Sequence, residues 1–401
     1  MPADLLHSRP PSTTLRLPAT VVALGVVSLL SDLSSEMIYP LLPVFLTTVL
    51  GAGPQALGLI EGVAESTASL LKVISGRWSD RARRRKPLVV AGYSLAGAVR
   101  PLIGLATGWS AVLLLRFADR VGKGLRTSPR DALIADATPP PQRGEAFGLQ
   151  RSLDHAGAVV GPLVAAALLA LAGLSLRAVF LLAVIPAVAV VVVLVGWVRE
   201  APRGASAAPA KGARAWRELG RPMHVVLAAL LLFTLGNSTD AFLLLRLSDA
   251  GVSAAGVALL WSAFHVVKML STYVGGRVSD RLGRRPMVVA GWSVYAAVYL
   301  AFALVSSPAA MIATFLAYGL YYGLTEPAER AWVADLAPPH LRGTAFGLYH
   351  GVIGLAALPA SVLFGLLWQR LGAPVAFLTG AGLALAATVV LTLVPRGAPR
   401  P

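Results

Sequence analysis

Long apolar stretches separated by short polar ones run along the whole 401-residue chain. A membrane-spanning helix needs about 20 consecutive, mostly apolar residues. Twelve stretches approach or exceed this length, so the pattern predicts an all-α polytopic membrane protein with twelve transmembrane helices. We number these segments 1 to 12; they are residues 18–46, 57–76, 87–106, 111–135, 146–171, 178–197, 223–245, 255–276, 286–304, 310–334, 344–368 and 375–394.

The composition agrees with lipid as the solvent of this chain. Only 13% of its residues are charged and 56% are hydrophobic, whereas soluble domains carry about 25% charged residues. The chain has no cysteine, which excludes disulfides and thiolate metal sites. We therefore expect a lipid bilayer as the main partner of the protein.

The net charge of +16 is unevenly distributed between the predicted loops. With both termini in the cytoplasm, the loops and tails on that side hold 22 Lys and Arg residues, and the other side holds only Arg177, Arg246 and Arg370. Positive loop charge marks the cytoplasmic side. We expect a multi-pass protein of a bacterial cytoplasmic (inner) membrane, and no nucleic-acid partner.

The chain also repeats itself at an interval of about 200 residues. GRWSDRARRRK (76–86) matches GRVSDRLGRRP (276–286), and ALIADATPPPQRGEAFGL (132–149) matches AWVADLAPPHLRGTAFGL (331–348). This predicts an N-terminal six-helix bundle over 1–198 with a cytoplasmic tail at 1–17, a linker over 199–221 and a C-terminal bundle over 222–401. Parallel six-helix repeats occur in transporters, although channels and membrane enzymes also arise by duplication.

The first repeated motif has a physical interpretation as a gate. Glycine allows close helix approach, and a carboxylate at a helix end can cap the positive N-terminus of another helix. The arginines that follow can pair with acids or with lipid phosphates. The predicted gating residues are Gly76, Asp80, Arg81, Arg84, Gly276, Asp280, Arg281 and Arg284.

These two loops resemble the signature G-x-x-x-D-R-x-G-R-R of the major facilitator superfamily. The second copy matches fully, and the first has Arg83 in place of the glycine. In segment 5, the spacing of Gly148, Gly157, Gly161 and Pro162 resembles the antiporter motif of the drug/proton exporters in that family. We expect these small residues to pack segment 5 tightly on a partner helix across the interface between the halves. In segment 4, LLLRFAD (113–119) is similar to a second exporter motif. The resemblance implies alternating access and, for the exporter branch, export by proton antiport.

Charge inside a bilayer is expensive and by default indicates function. Fifteen of the twenty charged residues within the predicted segments lie in the first half. Low dielectric favours a protonated carboxylate, and a nearby cation favours the ionised form. We therefore predict Asp32, Glu36, Glu61 and Glu65 as proton carriers, then Asp154, with Arg116 as the switching cation; static salt bridges are the alternative.

The cargo is less specified than the fold. A cavity with charges of both signs suits a small zwitterion, an organic ion or a metal chelate, and we expect it to be lined by Tyr39, Arg126, Asn237, Asp240, His265 and Glu326. The alternative is a divalent metal or a siderophore-like chelate, exported or imported, with Asp32, Asp240 and His265 as candidate ligands. Oxygen and imidazole ligands suit transition metals.

Other classes of protein fit the chain less well. It lacks the phosphate-binding pattern G-x-x-x-x-G-K-[ST], which argues against an ATP-driven pump. We expect no enzymatic activity and no cofactor, with a proton gradient as the energy source. We also expect a monomer; a membrane-embedded enzyme or a channel remains as an alternative from another class.

Overall fold

The computed structural model describes residues 16–52, 54–201, 213–237, 240–252 and 254–392. Within these ranges the chain is helical and has no β-strand. Fourteen helices of seven or more residues are found in the described ranges: α1 Ala19–Glu36, α2 Pro54–Arg81, α3 Lys86–Val99, α4 Trp109–Ala137, α5 Arg143–Ala170, α6 Leu176–Leu182, α7 Val184–Gly196, α8 Gly220–Gly236, α9 Ala241–Asp249, α10 Ala254–Leu282, α11 Arg284–Leu304, α12 Pro308–Leu336, α13 Arg342–Leu371 and α14 Ala373–Thr392.

All twelve predicted segments coincide with one or more of these helices, which confirms the all-α class. In the described part of the chain, seven helical stretches are long and apolar enough to cross a membrane, so the count of twelve spans stays a prediction. These seven are Ala19–Leu41, Lys86–Leu105, Pro140–Ala170, Leu176–Gly196, Arg284–Leu304, Pro339–Leu371 and Ala373–Thr392.

Four predicted segments depart from a continuous α-helix in the described ranges. Segment 1 leaves the α-helix after Glu36 and continues as a 3-10 turn at Tyr39–Leu41, since the prolines of YPLLP cannot donate the helical hydrogen bond. Segment 3 leaves the α-helix after Val99 and continues as a 3-10 turn at Pro101–Leu105. Segment 6 is divided between α6 and α7 at Ala183. Segment 7 is divided between α8 and α9, where Asn237 has an extended backbone.

Helix α5 lies between α1 of its own predicted half and α10 of the other, and α13 packs along α2. Glycines permit two of these contacts. A Cβ on Gly148 would lie 2.7 Å from the Thr272 carbonyl oxygen, and one on Gly347 would lie 3.0 Å from the Lys72 carbonyl oxygen. Gly148 and Gly347 occupy equivalent repeat positions, so the α5–α10 and α13–α2 contacts are pseudo-symmetric.

Candidate functional site

Both repeated motifs lie at one end of the bundle, which we call the motif end. Here the Asp80 carboxylate accepts hydrogen bonds from the backbone N–H groups of Gly343 and Thr344 at 2.7 and 2.6 Å. Asp280 accepts from those of Gly144 and Glu145 at 2.9 and 2.7 Å. Each aspartate therefore caps the first turn of a helix in the other half, where the helix dipole favours negative charge.

The arginine partner of the first aspartate is one residue further along than the motif suggested. Arg284 contacts Asp280 at 2.5 Å, whereas Asp80 is contacted by Arg85 at 3.0 Å. Arg85 is buried, but Arg84 is exposed. The first loop has one more residue between its aspartate and the following proline, which moves the equivalent of Arg284 to position 85.

The other predicted loop arginines, Arg81 and Arg281, are exposed. The glycines of the motif behave as expected. Gly76 lies against the backbone of Gly343, and Gly276 lies against that of Gly144. An added Cβ at either position would overlap the facing carbonyl oxygen, so both contacts require glycine.

Besides the exposed pair Arg277–Glu145, two reciprocal ion pairs join the halves at the motif end of the described chain, and they were not predicted from the sequence. Arg143 contacts Asp335 and Arg342 contacts Asp136, each at 2.6 Å. All four residues lie in the repeated stretches 132–149 and 331–348, and each arginine and each aspartate has its counterpart 199 residues away. The match between these two stretches, which indicates duplication, could also have identified the two ion pairs from the sequence.

A cavity of about 250 Å³ lies in the first half, between α1, α2, the end of α3 and α4. It brings together six of the predicted residues, and the Glu61 side chain lies outside the described residues. The lining side chains are Asp32, Ser35, Glu36, Tyr39, Glu65, Arg100, Arg116, Asp119, Arg120, Lys123 and Arg126. Four acids and five bases therefore face one space.

Some of these charges are directly paired. Arg100 and Arg116 contact the carboxylate of Asp119 at 2.8 and 3.4 Å. Arg120 contacts Glu65 at 3.5 Å. The predicted switching cation, Arg116, also lies 4.7 Å from the ring centre of Tyr39. These contacts fix three of the five cations.

The other two acids and two cations of the cavity are not paired in this way. In the described ranges, Asp32, Glu36, Lys123 and Arg126 have no ion pair within 4.0 Å. Arg126 stacks 4.0 Å over the ring of Tyr93, while its Nε and Nη1 atoms are buried without a hydrogen-bond partner. The cavity therefore contains charges of both signs that the protein does not neutralise by direct contact.

The glycine motif of α5 adjoins this cavity. A Cβ on Gly157 would lie 2.9 Å from the Asp32 Cβ, and one on Gly161 would lie 2.7 Å from the Glu36 Cβ. The motif was expected to pack across the interface between the halves. Only Gly148 does so, because Gly157 and Gly161 face α1 of the same half. Pro162 lies within α5, which continues to Ala170.

Asp154 and Glu326 belong to a separate ionic cluster at the α5–α12 contact. Arg151 binds the Glu326 carboxylate with two hydrogen bonds, at 2.9 and 2.8 Å, and also contacts Asp154. His155 Nε2 lies 3.1 Å from Glu326, and the ring of His265 lies 6.0 Å from that of His155. Asp154 is thus tied to an arginine, unlike Asp32 and Glu36.

Asp240 and Asn237 lie in the second half, beside its aromatic residues. Asp240 accepts hydrogen bonds from Tyr318 at 3.0 Å and Tyr322 at 3.1 Å. Asn237 accepts one from Tyr295 at 3.4 Å. The structure therefore divides the predicted cargo residues among three places: the first-half cavity, the ionic cluster at the α5–α12 contact and this second-half polar cluster.

The three candidate metal ligands also lie in different places. Asp32 lines the first-half cavity, Asp240 contacts tyrosines, and His265 faces His155. Throughout the described ranges, no group of three or more His, Cys, Asp or Glu side chains could hold a metal ion.

Asp131 forms a further contact between the halves. It lies on α4, between the cavity and the motif end. Its carboxylate contacts Arg130 at 2.9 Å, His350 at 2.8 Å and Arg330 at 3.8 Å. Asp131 and Arg330 occupy equivalent positions of the repeat. The pair therefore joins the halves across their pseudo-twofold axis.

The sequence model of the family described as Major Facilitator Superfamily matches residues 24–253 and 226–401. The chain belongs to the major facilitator superfamily. An uncharacterised MFS-type transporter of Methanocaldococcus jannaschii is 32% identical over 387 residues, which cover 93% of this chain and 94% of that relative. Family and fold are those of a transporter, which generally is not an enzyme, and they imply a multi-pass protein in a lipid bilayer with a small-molecule substrate.

Two further proteins are similar to this chain, one in structure and one in sequence. The crystal structure of the human organic anion transporter MFSD10 has a TM-score of 0.77 at 19% identity, covering 93% of this chain and 99% of that one, which shows the shared fold. The tetracenomycin C resistance and export protein of Streptomyces glaucescens is 26% identical over 194 residues, 47% of this chain and 35% of the relative.

Proposed function

We propose that this superfamily member is a proton-coupled antiporter that exports a small organic compound by alternating access between two six-helix halves. The observation that carries the proposal is the first-half cavity, in which Asp32 and Glu36 face Lys123 and Arg126 without direct ion pairs. A carboxylate so situated can bind either a proton or a cationic group of the cargo. Mutually exclusive binding of the two gives antiport.

Helix α5 provides the link between proton binding and conformation. On one side its Gly157 and Gly161 contact the residues that carry the two acids of α1, and on the other its Gly148 contacts α10 of the other half. Motion of the halves at the α5–α10 contact would shift α5 against Asp32 and Glu36. The acids would thereby change their distance from the α4 cations.

The contacts at the motif end define one conformation of this cycle. We assign the motif end to the cytoplasm from the positive loop charge. The caps of Asp80 and Asp280 then close the cytoplasmic side, and release of these caps opens it. Export is favoured by the α5 glycine motif and by the relative named for tetracenomycin C export.

The test is proton exchange in proteoliposomes. Purified protein is reconstituted with a pH-sensitive dye inside, a pH gradient is imposed, and antibiotics including tetracenomycin C, siderophores, metals and amino acids are added in turn. An exchanged compound dissipates the gradient, and the response disappears in Asp32→Asn or Glu36→Gln. Glu61→Gln and Glu65→Gln, which replace the other two predicted proton carriers, are measured in the same way.

Two results would reject the proposal. One is normal coupling in all four folded variants. The other is a gradient that no compound in the panel dissipates. Unitary currents in a planar bilayer would instead identify a channel.

A further inference from the structure

Arg126 is a buried cation with unused hydrogen-bonding capacity. Its side chain lines the first-half cavity, the residue is 6% exposed, and two of its nitrogen atoms lack a partner. A buried polar group without a partner is costly. Proteins retain such groups where a ligand completes them, and a guanidinium matches a carboxylate through two parallel hydrogen bonds.

Lys123 supplies a second cation to the same space. It precedes Arg126 by three residues in α4, so the two side chains lie on one face of the helix. Lys123 also lacks an ion pair in the described ranges, whereas Arg116 and Arg120 are engaged with Asp119 and Glu65. Lys123 and Arg126 together form a site for one anionic group.

Helix α1 supplies charges of the opposite sign to the same cavity. Asp32 and Glu36 are four residues apart in α1, share a face of that helix and line the same cavity. Both acids lack an ion pair in the part of the chain that the structure describes. They can receive one cationic group in the same cavity in which Lys123 and Arg126 can receive an anionic one.

We infer that the cargo is a small zwitterion, with its carboxylate on Arg126 and Lys123 and its ammonium group on Asp32 and Glu36. This deepens the proposed function and rests on it, since the ammonium group is what competes with protons. The cavity of about 250 Å³ is near the lower limit of about 300 Å³ for ligand pockets. A compound of the size of an amino acid therefore fits better than a large drug.

Equilibrium binding tests this assignment without a pH gradient. Calorimetry on the protein in nanodiscs uses phenylalanine, leucine and glutamine, each compared with its amide, which is a cation, and its N-acetyl derivative, which is an anion. We expect at least one amino acid to bind about tenfold tighter than both of its capped forms. If none of the three shows this preference, the inference is overturned.

Two substitutions assign the groups. Arg126→Gln removes the preference for the amino acid over its amide and keeps the preference for the amino acid over its N-acetyl form. Asp32→Asn removes the preference over the N-acetyl form and keeps the preference over the amide. Lys123→Gln repeats the first result where Arg126→Gln fails to fold. Arg77→Gln, which replaces an exposed arginine at the end of α2, serves as the matched control and binds as the wild type does.

The two hypotheses can fail separately. Selective binding without proton exchange in proteoliposomes would reject antiport and keep the zwitterion site. Proton exchange of a compound with one charge, at a site that Arg126→Gln leaves unchanged, would reject the zwitterion site and keep antiport.

Discussion

The aspartate caps at the motif end make a quantitative prediction. Asp80 is buried and accepts two backbone hydrogen bonds from α13 in addition to its ion pair with Arg85. Hydrogen bonds to charged groups contribute about 1.5–3 kcal/mol and neutral ones about 0.5–1.5 kcal/mol. In Asp80→Asn the side chain keeps nearly the same shape but loses its charge, and its amide nitrogen cannot accept one of the two backbone hydrogen bonds, so the capped conformation should lose about 2 kcal/mol.

A loss of this size should be visible as a change in population. About 1.4 kcal/mol corresponds to a factor of ten, so the fraction of molecules open at the motif end should rise about 30-fold. The chain has no cysteine, which allows a clean single-cysteine probe. Ala345 is fully buried in the first turn of α13, immediately after the capped residues.

The assay measures the rate at which a maleimide modifies Ala345→Cys with and without Asp80→Asn. When opening is faster than modification, the rate follows the open fraction. By the pseudo-symmetry, Asp280→Asn should accelerate modification of Ala146→Cys similarly, and Arg81→Gln is the control at an exposed motif arginine. A rate within twofold of the parent for both aspartate variants would refute the capping argument.

Two further predictions concern the interior, and a third concerns the motif end. Gly161→Val should abolish proton exchange in proteoliposomes, because its side chain would displace the Glu36 backbone; wild-type exchange would contradict the α5–α1 coupling. Glu326→Gln should destabilise the protein by about 1–3 kcal/mol, seen as a lower Tm, because Arg151 loses its bidentate carboxylate partner and keeps only Asp154; an unchanged Tm would count against it. Arg85→Gln should increase modification at the motif end while Arg84→Gln has no effect, and equal effects would contradict the assignment of Arg85.

Hydrophobic periodicity and the internal repeat predicted the helical class and the positions of the helices, because both depend on local sequence. The caps of Asp80 and Asp280 were also predictable, since a helix N-terminus attracts a carboxylate whatever surrounds it. The choice of Arg85 over Arg84 was not, because it depends on how one extra loop residue turns the chain. The break at Ala183 lies in an unbroken apolar run, LLAVIPAV (181–188), and left no signal in the sequence. The break at Asn237 coincides with the polar stretch GNSTD (236–240), which the assignment of segment 7 as one continuous helix passed over.

The positions of the charged residues were also more predictable than their partners. Asp32, Glu36, Glu65, Arg116 and Arg126 were expected to be functional because of their depth in the bilayer, and the structure brings them to one cavity. Which of them are paired depends on contacts between helices far apart in sequence. Asp154 also lies within a predicted membrane segment, yet its position beside Arg151 gives it a partner that Asp32 lacks.

The reciprocal ion pairs Arg143–Asp335 and Arg342–Asp136 have an evolutionary consequence. Because each half presents the same arginine and the same aspartate, the surface at the motif end is self-complementary, as in the isologous interface of a symmetric dimer. One ancestral six-helix chain could have formed both pairs by binding a second copy of itself. Gene duplication and fusion would then have preserved both ion pairs, so that each half retains a complete copy of the surface that binds the other half.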